Sequence, residues 1–297
     1  MRGTGAADSY LARLASRSAE AGTVLCVGID PDPAALPDGF PPDVAGVEAF
    51  ARLLVEAAVP HAAAVKANLA FFEAFGPAGL AALERVRARI PNGIPVIADV
   101  KRADIGSTAA RQAAALFDAI GVDAVTVNPY LGSEAIGPLI ERVDRFAYVL
   151  CRTSNPGAGE LQDLVVAADD AAGLPAEPLH LRVARRAATW GPGGTVGLVV
   201  GATAPDELAA IRAAAPGLAF LVPGVGAQGG DAGAVLVEGR ATAGPAGGRP
   251  GGGLLVNVSR GIADAARAAR GGRAGSDPGT ALDAAARDWA ARLPVLP

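Results

Sequence analysis

The chain is poor in the residues that hold metals or cross-link small folds. Of its 297 residues, two are cysteine and two are histidine. Cys26 and Cys151 lie far apart inside the apolar runs LCVGID and YVLCRTS. They read as buried small hydrophobes, not as a disulfide or a metal pair. His61 and His180 cannot make a His-rich metal site. His61 is expected to begin a buried strand and His180 to lie in a helical stretch, both structural, and no metal is expected. No apolar run reaches the ~18 residues that a membrane span needs. The first 20 residues, MRGTGAADSYLARLASRSAE, have no apolar core of the secretory type. No Lys/Arg block is present and the net charge is −4, so no nucleic acid and no membrane surface are expected as partners. The default expectation is a soluble cytoplasmic protein.

Lysine is the scarcest cation. Lys and Arg together number 26, yet only Lys66 and Lys101 are lysine. The composition favours Ala, Gly and Arg, as if surface lysines had been replaced wholesale. Arginine substitutes for lysine on a solvated face but not where a compact, proton-donating ammonium is needed. The two lysines that remain are candidates for chemistry.

What the chain has in quantity is apolar material, 51% of residues against 19% charged, enough for a sizeable core. Near-continuous aliphatic runs fall at 24–29, 63–67, 94–100, 123–128, 146–151, 195–201, 218–224 and 254–259. Strands buried on both faces of a parallel sheet read this way. Helical patterns separate them, as at 47–59, 79–90, 107–120 and 204–215. Eight strands with interleaved helices predict an α/β fold, a (β/α)8 TIM barrel, spanning residues 1–297 as a single domain. An open doubly wound sheet is the alternative, but no GxGxxG follows the first strand. A leading helix at 8–20 is expected to cover the barrel bottom, and a trailing one to run over 278–292. Residues 239–253, GRATAGPAGGRPGGG, are low in complexity and are expected to form a mobile glycine-rich surface insertion.

Reactive groups of a barrel gather at the C-terminal ends of its strands. The richest such end is Ala98-Asp99-Val100-Lys101-Arg102-Ala103-Asp104. Strand alternation points Asp99 and Lys101 the same way, into the barrel mouth. Lys66 ends the preceding strand and Asp104 follows in the loop. Two lysines and two carboxylates in alternation would keep each other charged. A purely structural ion network is the alternative, with Asp104 capping the helix near Ser107. Buried ion networks are weak stabilisers, however. Asp30, after strand one, suits a sugar hydroxyl. The stretch 152–157, with Thr153 and Ser154, suits a polar heterocycle. Strand seven runs into Pro223-Gly224-Val225-Gly226-Ala227-Gln228, and strand eight into Asn257-Val258-Ser259-Arg260-Gly261. These are the loops that form phosphate sites in barrels, and Arg260 adds a bidentate grip.

Taken together, these residues resemble the orotidine 5′-monophosphate decarboxylase family, in its longer bacterial branch (type 2). The family's Asp-x-Lys-x-x-Asp motif is matched by Asp99, Lys101 and Asp104, and continues to Thr108. The likeness extends over Asp30, Lys66, residues 153–158, residues 223–231 and Arg260. It departs at the insertion and at Asn128-Pro129-Tyr130. The resemblance implies a lyase that converts orotidine 5′-monophosphate to UMP and CO2 in pyrimidine biosynthesis, with no cofactor. Lys101, Asp99, Lys66 and Asp104 would be catalytic, with Lys101 protonating C6. Asp30, Thr108, Ser154, Pro223, Gln228 and Arg260 would bind substrate. It also implies a homodimer in which Asp104 and Thr108 reach the partner's site. The motif is shared with metal-dependent sugar-phosphate relatives, which place a glutamate where Lys66 stands.

Overall fold

The computed structural model describes residues 9–226, 229–271 and 277–296. Eight parallel strands close on themselves: β1 (Leu25–Ile29), β2 (Ala64–Asn68), β3 (Val96–Arg102), β4 (Ala124–Val127), β5 (Phe146–Arg152), β6 (Val196–Val200), β7 (Ala219–Pro223) and β8 (Leu255–Val258). β8 pairs with β1 to complete the (β/α)8 barrel. All eight expected strands are present, displaced by no more than two residues at either end. A short antiparallel ribbon, 165–166 against 177–178, decorates the connection after β5.

Side-chain alternation sorts the core into two layers. Ala147, Val149 and Cys151 of β5 face outward onto the helices. Phe146 and Tyr148 face inward with Cys26, Ile97, Leu221 and Leu255. The helix Tyr10–Ala21 closes the bottom, as expected, by inserting Tyr10, Leu11 and Leu14 into that inner layer. The Tyr10 ring stacks on Phe146 at 4.6 Å, and its hydroxyl meets the Tyr148 hydroxyl at 3.1 Å. Two buried phenols thereby satisfy each other. The trailing helix occupies Pro278–Arg292, with Asp277 accepting from the Thr280 N–H as its N-cap. The expected helix at 107–120 is helical throughout, but turns from α (Gly106–Ala113) to π (Ala114–Ile120). Among the described residues no helix is long and apolar enough to cross a membrane.

Two expectations need correction. Residues 239–253 do not lie wholly at the surface. Ala241 and Ala246 are buried in the inner layer beside Tyr10, and Gly251–Gly253 are buried too. Low complexity here means small side chains, which let backbone approach backbone. A Cβ on Gly253, whose φ is +65°, would lie 2.8 Å from the Ala219 Cβ. Arg212 ties the segment down from beneath, donating to the carbonyls of Gly239, Ala215 and Leu218 at 2.6–2.9 Å. The segment is a plug at the bottom of the barrel, the end opposite the strand C-termini. His61 does not begin a strand. It ends the 3-10 turn Val59–His61, and its Nε2 lies 2.7 Å from Asp283 of the trailing helix. His180 is buried in the helix Leu179–Ala187, as expected.

Candidate active site

The C-terminal ends of the strands surround a cavity of about 490 Å³. At its centre is Asp99. Lys66 Nζ lies 2.8 Å from Asp99 Oδ2, and Lys101 Nζ lies 2.6 Å from Oδ1. Lys66 also approaches Asp30, at 3.7 Å. Burial opposes the charge on Lys66, but Asp30 and Asp99 beside it prevail and hold its pKa above the ordinary lysine value. Burial likewise opposes ionisation of Asp99, but the two ammoniums keep its carboxyl well below the usual carboxylate range. The centre is a fixed alternation of charges, + − +, with a second carboxylate behind it.

Regular strand alternation does not produce this arrangement. β3 bulges: Ala98 is level with Val125 of β4, yet Arg102 is level with Val127. Within the bulge Lys101 has φ +47°, the sole non-glycine residue with positive φ among those described. Thr126 of β4 fills the broken ladder. Its Oγ accepts from the backbone N–H groups of Val100 and Lys101, both at 2.9 Å, and donates to Asp99 Oδ1 at 2.8 Å.

The expected site residues divide. Asp30, Lys66, Asp99, Lys101, Ser154, Pro223 and Arg260 all line the cavity. Asp104 and Thr108 do not. Asp104 lies past the strand end, its Oδ1 accepting from the Ile105 N–H at 2.8 Å, and Thr108 is exposed on the first turn of the next helix. Among the described residues the lysines pair with Asp30 and Asp99, not with Asp104. Gln228 lies outside the described residues. Cys26, in β1, is buried, and burial above all pushes its thiol up to about 12, so it is chemically quiet.

Sequence reasoning passed over Thr126, Asn68 and Gln162 and gave Asn257 no role of its own; all four line the same cavity. A signal existed for three of them. Asn68, Thr126 and Asn257 are polar residues near the C-terminal ends of otherwise apolar strands, where an inward side chain meets the cavity. Leu150, Val199 and Leu221 make the wall facing the lysines apolar. The cavity thus offers a flat ring a greasy side and a charged side. Oδ1 of Asp30 and Oδ1 of Asn257 are buried acceptors without a hydrogen-bond donor among the described residues, which suits a hydroxyl-bearing ligand. Across the mouth, Gly226, Ser259, Arg260 and Gly261 collect at the start of the helix Arg260–Gly271. Backbone N–H groups, a helix N-terminus and a guanidinium make that corner receptive to a phosphate.

Fold and site together define a barrel enzyme with a lysine–carboxylate centre and an anion corner. The chain belongs to the orotidine 5′-phosphate decarboxylase / HUMPS family, whose model matches residues 23–274. It is 49% identical over 246 residues to the orotidine 5′-phosphate decarboxylase of Roseiflexus castenholzii, covering 82% of this chain and 85% of that one. It is 47% identical over 265 residues to the enzyme of that name from Thermomicrobium roseum, covering 88% and 89%. The solved structure of Leishmania donovani OMP decarboxylase superposes with a TM-score of 0.77 at 38% identity, covering 95% of this chain and 96% of that one.

Proposed function

We propose that this carboxy-lyase, which converts orotidine 5′-monophosphate to UMP and CO2, does so without metal or organic cofactor, with Lys101 as the acid that protonates C6. The observation that carries this reading is Asp99 held between two ammoniums at 2.8 and 2.6 Å. Loss of CO2 leaves an electron pair in an sp² orbital at C6 that the pyrimidine ring cannot delocalise. A fixed cation aimed at that carbon stabilises the developing charge. Lys101 is the more exposed of the two lysines, 49% against 6% at the side chain. It can therefore hand its proton to C6 and regain one from solvent. Lys66, buried and doubly paired, holds Asp99 in place. Asp99 lies beside the departing carboxylate and favours its loss.

In this reading Asp30 takes a ribose hydroxyl, Ser154 the heterocycle, and Pro223, Gln228 and Arg260 the phosphate end of the substrate. Remote phosphate contacts then supply binding energy that orders the reacting end. The protein works as a cytoplasmic homodimer of single-domain barrels, with neither nucleic acid nor membrane as a partner. Asp104 and Thr108, which do not line their own cavity, complete the partner's. The test is loss of orotidylate absorbance on adding the substrate to chelator-treated protein. Turnover undiminished by chelation is expected. Activity that returned only with added divalent metal would overturn the cofactor-free route.

A further inference from the structure

The connection after β5 carries Ser154 to the cavity wall, and it is closed at its base by hydrogen bonds within the chain. Gln162 Oε1 accepts from the Thr153 N–H at 2.8 Å, and its Nε2 donates to Thr153 Oγ1 at 2.9 Å. Thr153 Oγ1 donates in turn to Asn155 Oδ1 at 2.6 Å. One residue further out on each side, Arg152 grips Asp163 with two parallel bonds, at 2.8 and 3.0 Å. His180, buried beneath, sets its Nδ1 2.9 Å from the Gln162 carbonyl, and its own carbonyl accepts from Cys151 Sγ. Residues 154–161 are therefore a loop whose two ends are clasped twice.

From the side of β6, the loop is seated against Gly201. A Cβ on that glycine would fall 2.8 Å from the Ser154 backbone nitrogen and 2.9 Å from its Cβ, too close for any real side chain. The Gly201 N–H also donates to the Arg152 carbonyl, at 2.7 Å. Ser154 is thus fixed in two directions, by the Thr153–Gln162 clasp along the chain and by the flat face of Gly201 behind it.

We infer that Gln162 is a positioning residue for the decarboxylation. It spends both ends of its amide on Thr153 and so holds the Ser154 hydroxyl at a fixed point on the cavity wall. The inference rests on Ser154 being a substrate contact. A group that orients a ground-state contact acts on binding and transition state alike, so its loss raises KM and leaves kcat nearly unchanged. Four variants test it: Gln162→Leu, which keeps the volume and removes the amide; Ser154→Ala; the double variant; and Gly201→Ala. Gln162→Leu and Ser154→Ala are each expected to raise KM for orotidine 5′-monophosphate about tenfold at similar kcat. The double variant should be no worse than the weaker single, since both lose the same contact. Gly201→Ala should repeat the pattern from the other side. If Ser154→Ala impairs and Gln162→Leu is silent, or if the two effects multiply, Gln162 does not act through Ser154. If Ser154→Ala is itself silent, the substrate contact fails and takes the inference with it, a result distinct from the first.

Discussion

Replacing Lys66 with Met separates what the charge cluster contributes to stability from what it contributes to catalysis. Lys66 and Asp99 are 6% and 11% exposed at the side chain. Removing one member of a buried ion pair costs about 3–5 kcal/mol, because the other is left charged and desolvated. Asp99 would keep Lys101 and the Thr126 hydroxyl, which places the cost near the low end, ~3 kcal/mol. At about 2–4 °C per kcal/mol for a chain of this class, melting should fall by roughly 6–12 °C. Turnover should fall by about 10²–10³, the scale for one preorganised charge. Lys66→Met/Asp99→Asn removes both charges and should recover most of the melting temperature and none of the turnover. The pH dependence follows from the two shifts. The depressed Asp99 contributes stability present above the unfolded carboxyl pKa of ~3.9 and lost as pH falls through its folded value. The raised Lys66 contributes stability present below ~10.4 and lost as pH rises through its folded value. The difference in melting temperature between wild type and the double variant should therefore be flat from about pH 5 to 9. Calorimetry across that range, beside an absorbance assay, reads both effects. A Lys66→Met protein that melts within about 2 °C of wild type, or a double variant no more stable than the single, would refute the reasoning.

Lys101→Arg keeps the charge but offers a guanidinium with a pKa above ~12; turnover should drop more than about 100-fold with melting unchanged, and near-normal turnover would sink the acid assignment. Deletion of 241–252 should cost ~3 kcal/mol or more, since it strips Ala241 and Ala246 from the inner core; a soluble protein of unchanged melting temperature would show the plug to be dispensable. Thr126→Val orphans two backbone N–H groups and should cost about 2–4 kcal/mol and most of the activity, whereas Thr126→Ser should restore both in the same two measurements. Mixing inactive Lys101→Ala and Asp104→Ala proteins under subunit exchange should restore about 25% of wild-type activity if sites are shared and independent; heterodimers that form without activity would place Asp104's role in its own chain.

The barrel was legible because its strands are buried on both faces and so stand out as aliphatic runs. The lysines were legible because every other Lys/Arg residue of the chain is arginine, leaving Lys66 and Lys101 conspicuous. Two errors share a cause, in that composition was read as a property of a segment and not of its surroundings. Residues 239–253 looked unable to pack, yet Ala246 is fully buried because glycines on either side let the chain fold under the barrel. His61 looked like a strand residue because apolar neighbours follow it, but the 3-10 turn hands it to Asp283 instead. Thr126 and Gln162 act through backbone groups that no motif records. Their partners, Lys101 N–H and Thr153 N–H, become visible only once the bulge and the connection after β5 are folded.

The bulge in β3 shows why the strain at Lys101 belongs at this place. A non-glycine residue at positive φ costs ~1–3 kcal/mol and persists only where its surroundings over-determine it. Here a single hydroxyl does so. Thr126 Oγ holds the Lys101 backbone and the Asp99 carboxylate at once, using two lone pairs and its one proton. A lysine on a half-exposed, four-carbon stem would otherwise wander among rotamers. With its backbone pinned by Thr126 and its ammonium 2.6 Å from Asp99, both ends of the stem are fixed to the same anchor. The ammonium is thereby held in place without being buried. In the proposed mechanism the amine left after proton transfer is open to reprotonation by solvent, whereas one sealed like Lys66 is not. For the acid proposed here, the strain is the structural cost of being both fixed and wet.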